Sequence, residues 1–372
     1  MTRGGVGMAF NPLRAIQEFG QSIWLDELHR ELLRGGDLAR LIDDDGISGV
    51  TSNPSIFQRA IAEDRSYRTE IRRLHAGGTA PRYIYEQLIL QDVRDAADAL
   101  HRVYQRSDGH DGFVSLEVSP ALAGDTAGTV TEARRLWRAF DRPNAMIKVP
   151  ATRQGLPAMR RLISEGINVN ATLLFGVTRY REVLDAFSAG LEDRKSGGNP
   201  IDRIASVASL FVSRIDTLVD EKLAVVHDAD RSARARMLVG KVGTKVARFA
   251  YQDFKKFIAS PRWGALAASG ARPQRLLWAS TGTKNPAYSD VKYIDELIGR
   301  DTVTTVPLAT LAAYRDHGRP APRLNDLFDV AELPADLLTV GIDLEQISQQ
   351  LEAEGVGKFS ASFQALLSNI SG

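Results

Sequence analysis

The run Ala145-Met146-Ile147-Lys148-Val149-Pro150 is apolar except for one lysine, and its length suits a single buried β-strand. Seven further runs are also short and rich in apolar or β-branched residues, and the eight runs cover residues 22–26, 49–53, 113–118, 145–149, 168–173, 206–212, 275–280 and 302–306. Segments with helical patterns separate them, as at 27–41, 84–104, 131–139 and 179–191. Because strands that alternate with helices form parallel βαβ units, eight of them predict an α/β fold, the closed (β/α)8 TIM barrel.

The length of 372 residues fits one such barrel with insertions, since these barrels run from about 200 to over 400 residues. We predict a single domain, with a loose N-terminal tail at 1–10, the barrel at 11–318 and a C-terminal helical extension at 319–372. Two long connections, 54–112 and 213–273, are predicted to carry additional helices. Within the C-terminal extension, helical patterns lie at 344–351 and 359–367.

The composition narrows the class of protein. The 47 basic and 46 acidic residues nearly cancel, so the charge gives no sign of a nucleic-acid or membrane partner. The absence of cysteine excludes disulfides, thiolate catalysis and cysteine-based zinc sites. No secretory signal and no apolar run of about 18 residues is present. We therefore expect a cytoplasmic enzyme that acts as a monomer or homodimer.

Several of these strands carry polar residues, and their positions indicate where a functional site would lie. Ser115 and Glu117 share one face of the third strand, because side chains two residues apart lie on the same side. Six of the eight predicted strands have a polar residue near the C-terminal end, namely Asp26, Asn53, Glu117, Lys148, Thr172 and Ser280. Each one alone could be a capping or loop residue. Together they would meet at the C-terminal mouth of the barrel, where active sites of this fold lie.

Lys148 is the charged residue least expected in a buried strand. A free lysine is almost fully protonated at pH 7, because its pKa is about 10.4, but burial can bring the pKa of a catalytic lysine to about 7–8. A neutral amine in these apolar surroundings could attack a carbonyl carbon and form a Schiff base. From the strand alone, a lysine that extends to solvent or pairs with Asp26 or Glu117 is an equally good interpretation.

Schiff-base chemistry also needs a group that moves protons. Asp26 and Glu117 would lie at the same mouth and could take a proton from a substrate hydroxyl or assist imine formation. For either carboxylate alone, a structural ion pair with a loop arginine is the better interpretation. Because three ionisable groups would lie on one face of the barrel, a catalytic role is the better interpretation for the three together.

A phosphate site is predicted on the side of the mouth opposite these ionisable groups. Barrels of this kind bind phosphate with the loops after their last strands. The segment 280–286 follows the seventh strand and offers hydroxyls, a glycine and Lys284, while Arg214 lies just beyond the sixth strand and could form paired hydrogen bonds. A plain turn with an exposed lysine is the alternative for 280–286.

The sequence shows no metal or cofactor motif. Its six histidines have no ligand spacing, and no glycine-rich nucleotide loop follows the first strand. We therefore expect that neither a metal nor a cofactor takes part and that side chains carry the chemistry.

Two segments resemble signatures of the transaldolase family. Gly49-Val-Thr-Ser-Asn-Pro-Ser-Ile-Phe57 is similar to the family's second-strand signature, and Asn144-Ala-Met-Ile-Lys-Val-Pro-Ala-Thr152 is similar to its lysine signature. Further similar segments lie at 23–26, 114–118, 166–175 and 301–307, so the resemblance runs in order from about residue 11 to 318. The chain length and the segment 278–286 resemble the longer bacterial form.

The resemblance implies a reaction and its participants. A dihydroxyacetone unit would pass from sedoheptulose 7-phosphate to glyceraldehyde 3-phosphate, giving erythrose 4-phosphate and fructose 6-phosphate in the pentose phosphate pathway. By this resemblance Lys148 forms the Schiff base and Asp26 is the general acid/base. Glu117 and Thr172 would hold a water that relays protons during imine formation.

The resemblance also implies the residues that bind the sugar phosphate. Asn53 and Asn170 would contact hydroxyl groups, and Thr51, Ser209 and Phe211 would line the site. Arg214 and Ser280 would bind the phosphate. Lys284 departs from the family pattern, because shorter transaldolases carry an arginine closer to the serine.

Two alternatives remain at this point. Fructose 6-phosphate aldolases are related lyases that release the three-carbon unit, but they are much shorter and tend to have tyrosine at the position of Phe211. A barrel that binds sugar phosphates without catalysis would be expected to have lost Lys148, Asp26 or Glu117, and all three are present.

Overall fold

The computed structural model of the chain describes residues 10–326 and 330–371. Eight strands form one closed barrel in which every neighbouring pair is parallel and the last strand pairs with the first. The strands are β1 (Gln21–Leu25), β2 (Gly49–Thr51), β3 (Phe113–Glu117), β4 (Ala145–Pro150), β5 (Val169–Leu174), β6 (Ser206–Phe211), β7 (Arg275–Ala279) and β8 (Thr302–Val306). The predicted (β/α)8 barrel is therefore confirmed, while the loose tail predicted at 1–10 falls, apart from Phe10, outside the described residues.

Helices surround the barrel and extend its two long connections. In the described part of the chain the α-helices are α1 (Pro12–Glu18), α2 (Arg30–Arg34), α3 (Asp37–Asp45), α4 (Pro54–Glu63), α5 (Arg65–Ala76), α6 (Pro81–Arg106), α7 (Thr126–Phe140), α8 (Gly155–Ser164), α9 (Val177–Ser196), α10 (Val212–Ala224), α11 (Ala229–Leu238), α12 (Val242–Ile258), α13 (Pro261–Ala267), α14 (Lys292–Asp295), α15 (Leu308–His317), α16 (Leu333–Thr339) and α17 (Leu344–Ser371). As predicted, additional helices fill both long connections, with α4 to α6 in the first and α10 to α13 in the second. No helix among the described residues is long and apolar enough to cross a membrane.

Some predicted boundaries were wrong. The single helix predicted at 27–41 is two helices, because α2 ends at Arg34 and Gly36 adopts a left-handed conformation (φ +77°) before α3 begins. Strands β1, β2 and β7 end before Asp26, Asn53 and Ser280, so these polar residues lie just past the strands rather than within them. At β3 and β4, by contrast, Glu117 and Lys148 lie within the strands.

The N-terminal end of the barrel interior is closed by a large aromatic residue and a polar network. The indole Nε1 of Trp24 donates to Asp111 Oδ1 at 2.7 Å, and Ser22 also hydrogen-bonds to the Asp111 carboxylate. Gly49 permits this packing, since a Cβ there would lie 2.5 Å from the Trp24 ring. This end is therefore filled core, and the polar space of the barrel is confined to the C-terminal mouth.

The C-terminal patterns at 344–351 and 359–367 belong to one continuous helix of 28 residues, α17. It packs mainly against α4 and also contacts α10 and β5 at the mouth of the barrel. The hydroxyl of Ser362 hydrogen-bonds to that of Ser55 at 2.8 Å, and the ring of Phe363 meets that of Tyr85 edge-on at 5.3 Å. The last helix of the chain thus forms part of the wall around the mouth.

Candidate active site

Lys148 lies on the inward face of β4 and is 4% exposed. Its Nζ donates a hydrogen bond to the carbonyl oxygen of Ser52 at 3.0 Å and lies 3.6 Å from Glu117 Oε2. Register explains the second contact, because Glu117 and Lys148 are direct partners across β3 and β4. A primary amine is thus fixed inside the mouth with a carboxylate beside it.

Glu117 is a buried carboxylate with few partners. Neither of its oxygens accepts a hydrogen bond from another described residue, and Lys148 is its ion-pair partner. Burial raises the pKa of Glu117 to about 7, and the nearby charges of Lys148 and Arg214 oppose that rise. A carboxyl group with this pKa can both accept and release a proton near neutral pH.

Thr172 lies on β5, on the same side of the mouth as the Glu117 carboxylate. Its side chain is fully buried, and its Oγ1 also makes no hydrogen bond with another described residue. The next residue, Leu173, has φ +60°, and the pairing of β5 with β6 shifts its register between Ala171 and Leu174. This bulge re-aims the end of β5, and such irregularities are common beside active sites.

Asp26 follows β1 and is half-buried at the edge of a cavity. The hydroxyl of Thr51 donates to Asp26 Oδ1 at 3.1 Å and also hydrogen-bonds to Thr305 Oγ1 at 2.7 Å. Burial raises the pKa of Asp26 above its ordinary value, while the positive charge of Lys148 and the hydrogen bond from Thr51 act in the opposite direction. The second carboxylate of the site is therefore oriented by two threonines.

Asn170 links three strands beneath these groups. Its Nδ2 donates to Ser115 Oγ at 3.0 Å, and its Oδ1 accepts from Ser209 Oγ at 2.7 Å. All three side chains are buried. Asn170 and Ser209 thus belong to a buried polar layer next to Lys148, which is the register partner of Asn170 across β4 and β5.

Arg214 lies on the opposite side of the mouth, in the first turn of α10. Its guanidinium carbon lies 5.0 Å from the ring centroid of Phe211 and 5.7 Å from that of Phe359 on α17. It forms no hydrogen bond or ion pair with another described residue. Burial lowers the pKa of Arg214, but an arginine still remains charged in this environment. A partly buried cation with unused donors suits an anionic ligand.

Ser280 and Lys284 belong to the loop after β7. Ser280 adopts a left-handed conformation (φ +55°), and its Oγ lies 2.8 Å from Ser213 Oγ, next to Arg214 in sequence. The hydroxyls of Thr281 and Thr283 donate to backbone carbonyl groups within the protein, so they hold the loop in place. Lys284 is exposed and forms no hydrogen bond or ion pair with another described residue.

One cavity of about 670 Å³ lies between Asp26 and the two cations, and its lining does not include Lys148, Glu117 or Thr172. Its lining includes four of the predicted site residues and one aromatic residue of α17: Asp26, Asn53, Arg214, Lys284 and Phe359. Asn53 also caps α4, because its Oδ1 accepts from the backbone N–H groups of Ser55 and Ile56. The cavity thus places Asp26 near Arg214 and Lys284, and its lining also holds Arg59 and four further acidic side chains, Glu27, Glu31, Glu63 and Asp64. Among the described residues no group of three or more His, Asp or Glu side chains could hold a metal ion.

Sequence reasoning did not identify several residues that shape the site. Ser52 offers the carbonyl that holds Lys148, Thr305 bonds to Thr51, and Phe359 covers Arg214. Thr305 could have been found from strand alternation, since it lies near the C-terminal end of β8. No local pattern marks Phe359, because its importance arises from where α17 docks.

These features define a (β/α)8-barrel protein with a buried lysine and two carboxylates at its C-terminal mouth, facing two cations that have no carboxylate partner among the described residues. Comparison with known proteins then identifies the family. The family model described as Transaldolase/Fructose-6-phosphate aldolase matches residues 23–370. The chain belongs to this family.

Individual relatives cover nearly the whole chain. A protein of Thiobacillus denitrificans named Transaldolase is 48% identical over 97% of this chain and 99% of its own length. A protein of Nostoc sp. named Transaldolase 2 is 46% identical over 98% of each chain, and one of Saccharopolyspora erythraea named Transaldolase is 46% identical over 96% of each. These similarities make the protein an enzyme of the transferase class.

Proposed function

We propose that the protein is a transaldolase of the pentose phosphate pathway, acting in the cytoplasm through a Schiff base on Lys148. The donor is sedoheptulose 7-phosphate or fructose 6-phosphate, and the acceptor is glyceraldehyde 3-phosphate or erythrose 4-phosphate. The observation that carries this proposal is the buried Lys148 Nζ, 3.6 Å from Glu117 Oε2 in a family of Schiff-base enzymes.

Imine formation is the first step. Lys148 Nζ transfers a proton to the Glu117 carboxylate and attacks the ketose carbonyl carbon, and the resulting carbinolamine loses its hydroxyl as water to give the imine. A water held by Glu117 and Thr172 relays the protons. The raised pKa of Glu117 and the unused hydroxyl of Thr172 support these roles.

Carbon–carbon cleavage is the second step. Asp26 takes the proton of the C4 hydroxyl while the C3–C4 bond breaks, so that an aldehyde leaves and the bond electrons form an enamine on Lys148. In the reverse sense the enamine attacks the acceptor aldehyde, and Asp26 returns its proton to the new hydroxyl. Hydrolysis of the imine then releases the product and regenerates Lys148.

The remaining predicted residues bind the sugar phosphate. Asn53 and Asn170 contact hydroxyl groups, with Thr51, Ser209 and Phe211 lining the site. Arg214, Ser280 and Lys284 bind the phosphate. Within the described part of the chain Arg214 has no carboxylate partner, which supports this assignment because the guanidinium donors remain available to an anion.

An aldolase that releases free dihydroxyacetone is the second candidate, since the family includes such enzymes. Phe211 argues against it. Its ring packs against Phe175 and Arg214 and carries no hydroxyl that could protonate the enamine.

A coupled assay separates these functions. Fructose 6-phosphate is supplied with and without erythrose 4-phosphate, and formation of glyceraldehyde 3-phosphate is followed. We expect turnover that requires the acceptor, with the Lys148→Met variant as the blank. Sustained glyceraldehyde 3-phosphate release without acceptor would instead identify an aldolase, and no turnover in either case would refute both.

A further inference from the structure

The guanidinium of Arg214 is held by two aromatic rings of different origin. Phe211 lies at the end of β6, three residues before Arg214, so their contact is local. Phe359 lies on α17, in the last 30 residues or so of the chain, and is 2% exposed. The orientation of this cation therefore depends on a helix that is distant in sequence.

The docking of α17 fixes where Phe359 lies. Gly355, one turn earlier on the same face, allows a close approach, since a Cβ there would lie 3.0 Å from Leu173 Cδ2 and 3.6 Å from an Arg214 guanidinium nitrogen. One turn later, Ser362 hydrogen-bonds to Ser55 of α4. Phe359 is thus held between two anchored points of the helix.

We propose that Phe359 is a positioning residue for phosphate binding, which orients the Arg214 guanidinium and presents its N–H groups to the phosphate of the substrate. This inference rests on the proposed function of Arg214. It adds that a residue of the C-terminal helix contributes to the preference of the site for phosphorylated substrates.

The physical basis is the geometry of a guanidinium group. Its donors point outward in the plane of the group, whereas its faces attract aromatic rings through cation–π interaction. Rings that hold the group in place also reduce the rotamer freedom that would be lost when phosphate binds. A cation–π pair is stronger where it is shielded from water, and Phe359 is buried. A loss of about fivefold in phosphate affinity corresponds to about 1 kcal/mol.

The test is an equilibrium titration of the full-length protein with inorganic phosphate. Phe359→Leu removes the ring, and we expect its Kd to rise about fivefold. Phe359→Tyr retains a ring and should stay within about twofold of the unmodified protein. Phe363→Leu is the matched control, because it makes the same change on the same helix at a ring that packs on Tyr85. If Phe359→Leu does not fold, as judged by circular dichroism, Phe359→Met removes the ring with a more flexible side chain.

Two outcomes would overturn the inference. One is an equal phosphate Kd for Phe359→Leu and Phe363→Leu, and the other is a loss in Phe359→Tyr as large as that in Phe359→Leu. The Arg214→Met variant separates this inference from the proposed function. If that variant binds phosphate as well as the unmodified protein does, the assignment of Arg214 itself fails.

Steady-state kinetics provide a second readout. Phe359→Leu should raise the KM for fructose 6-phosphate about fivefold, and its kcat/KM should fall about fivefold more for fructose 6-phosphate than for unphosphorylated fructose. An equal loss with both donors would show that the ring supports the site in general and not phosphate binding, which would contradict the proposal.

Discussion

The side of the mouth formed by β2 to β5 and the side formed by the ends of β6 and β7 with α17 hold their polar groups differently. On the first side, Lys148, Glu117 and Thr172 are buried on neighbouring strands, and their mutual positions follow from register. On the second side, Arg214 and Lys284 lie on a helix and in a loop, and Arg214 is oriented by aromatic rings. The first arrangement changes the pKa of a carboxylate by burial, whereas the second leaves cations available to an anion.

This contrast suggests that the two sides contribute to different parts of the function, namely proton transfer on the first side and phosphate binding on the second. Proton transfer requires groups whose protonation is tuned and whose geometry is rigid, which strand positions provide. Phosphate binding requires charge and directed donors, which loops and helix ends can supply. Substitutions on the two sides should therefore affect different kinetic quantities.

The largest effect is expected at Lys148. Lys148→Met removes the amine, so activity should fall by at least about 10³-fold. In the unmodified protein, borohydride with fructose 6-phosphate should trap a covalent adduct on this residue, detectable by peptide mass spectrometry. Lys222→Met, at an exposed lysine of α10, serves as the control. Recovery of only the unmodified Lys148 peptide from inactivated enzyme would disprove the mechanism.

The next effect is expected at Asp26. Asp26→Asn keeps the shape of the side chain but cannot accept the hydroxyl proton, so cleavage should slow by about 10²–10⁴-fold. The borohydride adduct on Lys148 should still form, because imine formation depends on the other carboxylate. Asp316→Asn, at an exposed carboxylate, controls for the loss of one charge. Normal turnover in Asp26→Asn would remove its role as general acid/base.

The phosphate side should respond through KM. Arg214→Met should raise the KM for fructose 6-phosphate about 10- to 100-fold, because a partly buried guanidinium can form two charge-assisted hydrogen bonds. Lys284→Met should raise it only a few-fold, since an exposed ammonium is well screened. The kcat/KM for unphosphorylated fructose serves as the reference for both variants. Equal effects at the two positions would contradict this ranking.

The smallest expected effect concerns the free energy of unfolding and involves Glu117. Its pKa is raised to about 7 in the folded protein, so between about pH 4.5 and 7 the folded state binds more protons than the unfolded state. Stability contributed by this group therefore falls as pH rises through that window. Glu117→Gln removes the titration and should become more stable relative to the unmodified protein, by about 2 kcal/mol, between pH 5 and 7.5.

Urea unfolding at the two pH values measures this difference. Glu18→Gln, at an exposed carboxylate of α1, is the control for the loss of one acidic side chain. A constant stability difference between Glu117→Gln and the unmodified protein across this range would contradict the raised pKa.

Much of the first side was predictable from sequence. Short apolar runs and the two-residue period of strands identify the barrel, and the same period places Ser115 and Glu117 on one face of the third strand. Local signals were weaker where the chain leaves regular structure. The helix predicted at 27–41 breaks at Gly36, and Asp26, Asn53 and Ser280 lie beyond their strands because hydrophobic periodicity does not mark the residue at which a strand ends.

By itself the sequence determined the alternation of strands and helices, the face that Ser115 and Glu117 share on the third strand, and the presence of Lys148, Asp26 and Glu117 near one mouth. These properties depend on periodicity and on residue chemistry, which are local. Only the tertiary structure decided that the Ser52 carbonyl holds Lys148, that Thr305 supports Thr51 and that α17 brings Phe359 against Arg214. Such contacts join segments far apart in the chain, and their positions are fixed by the closure of the barrel and the docking of its last helix.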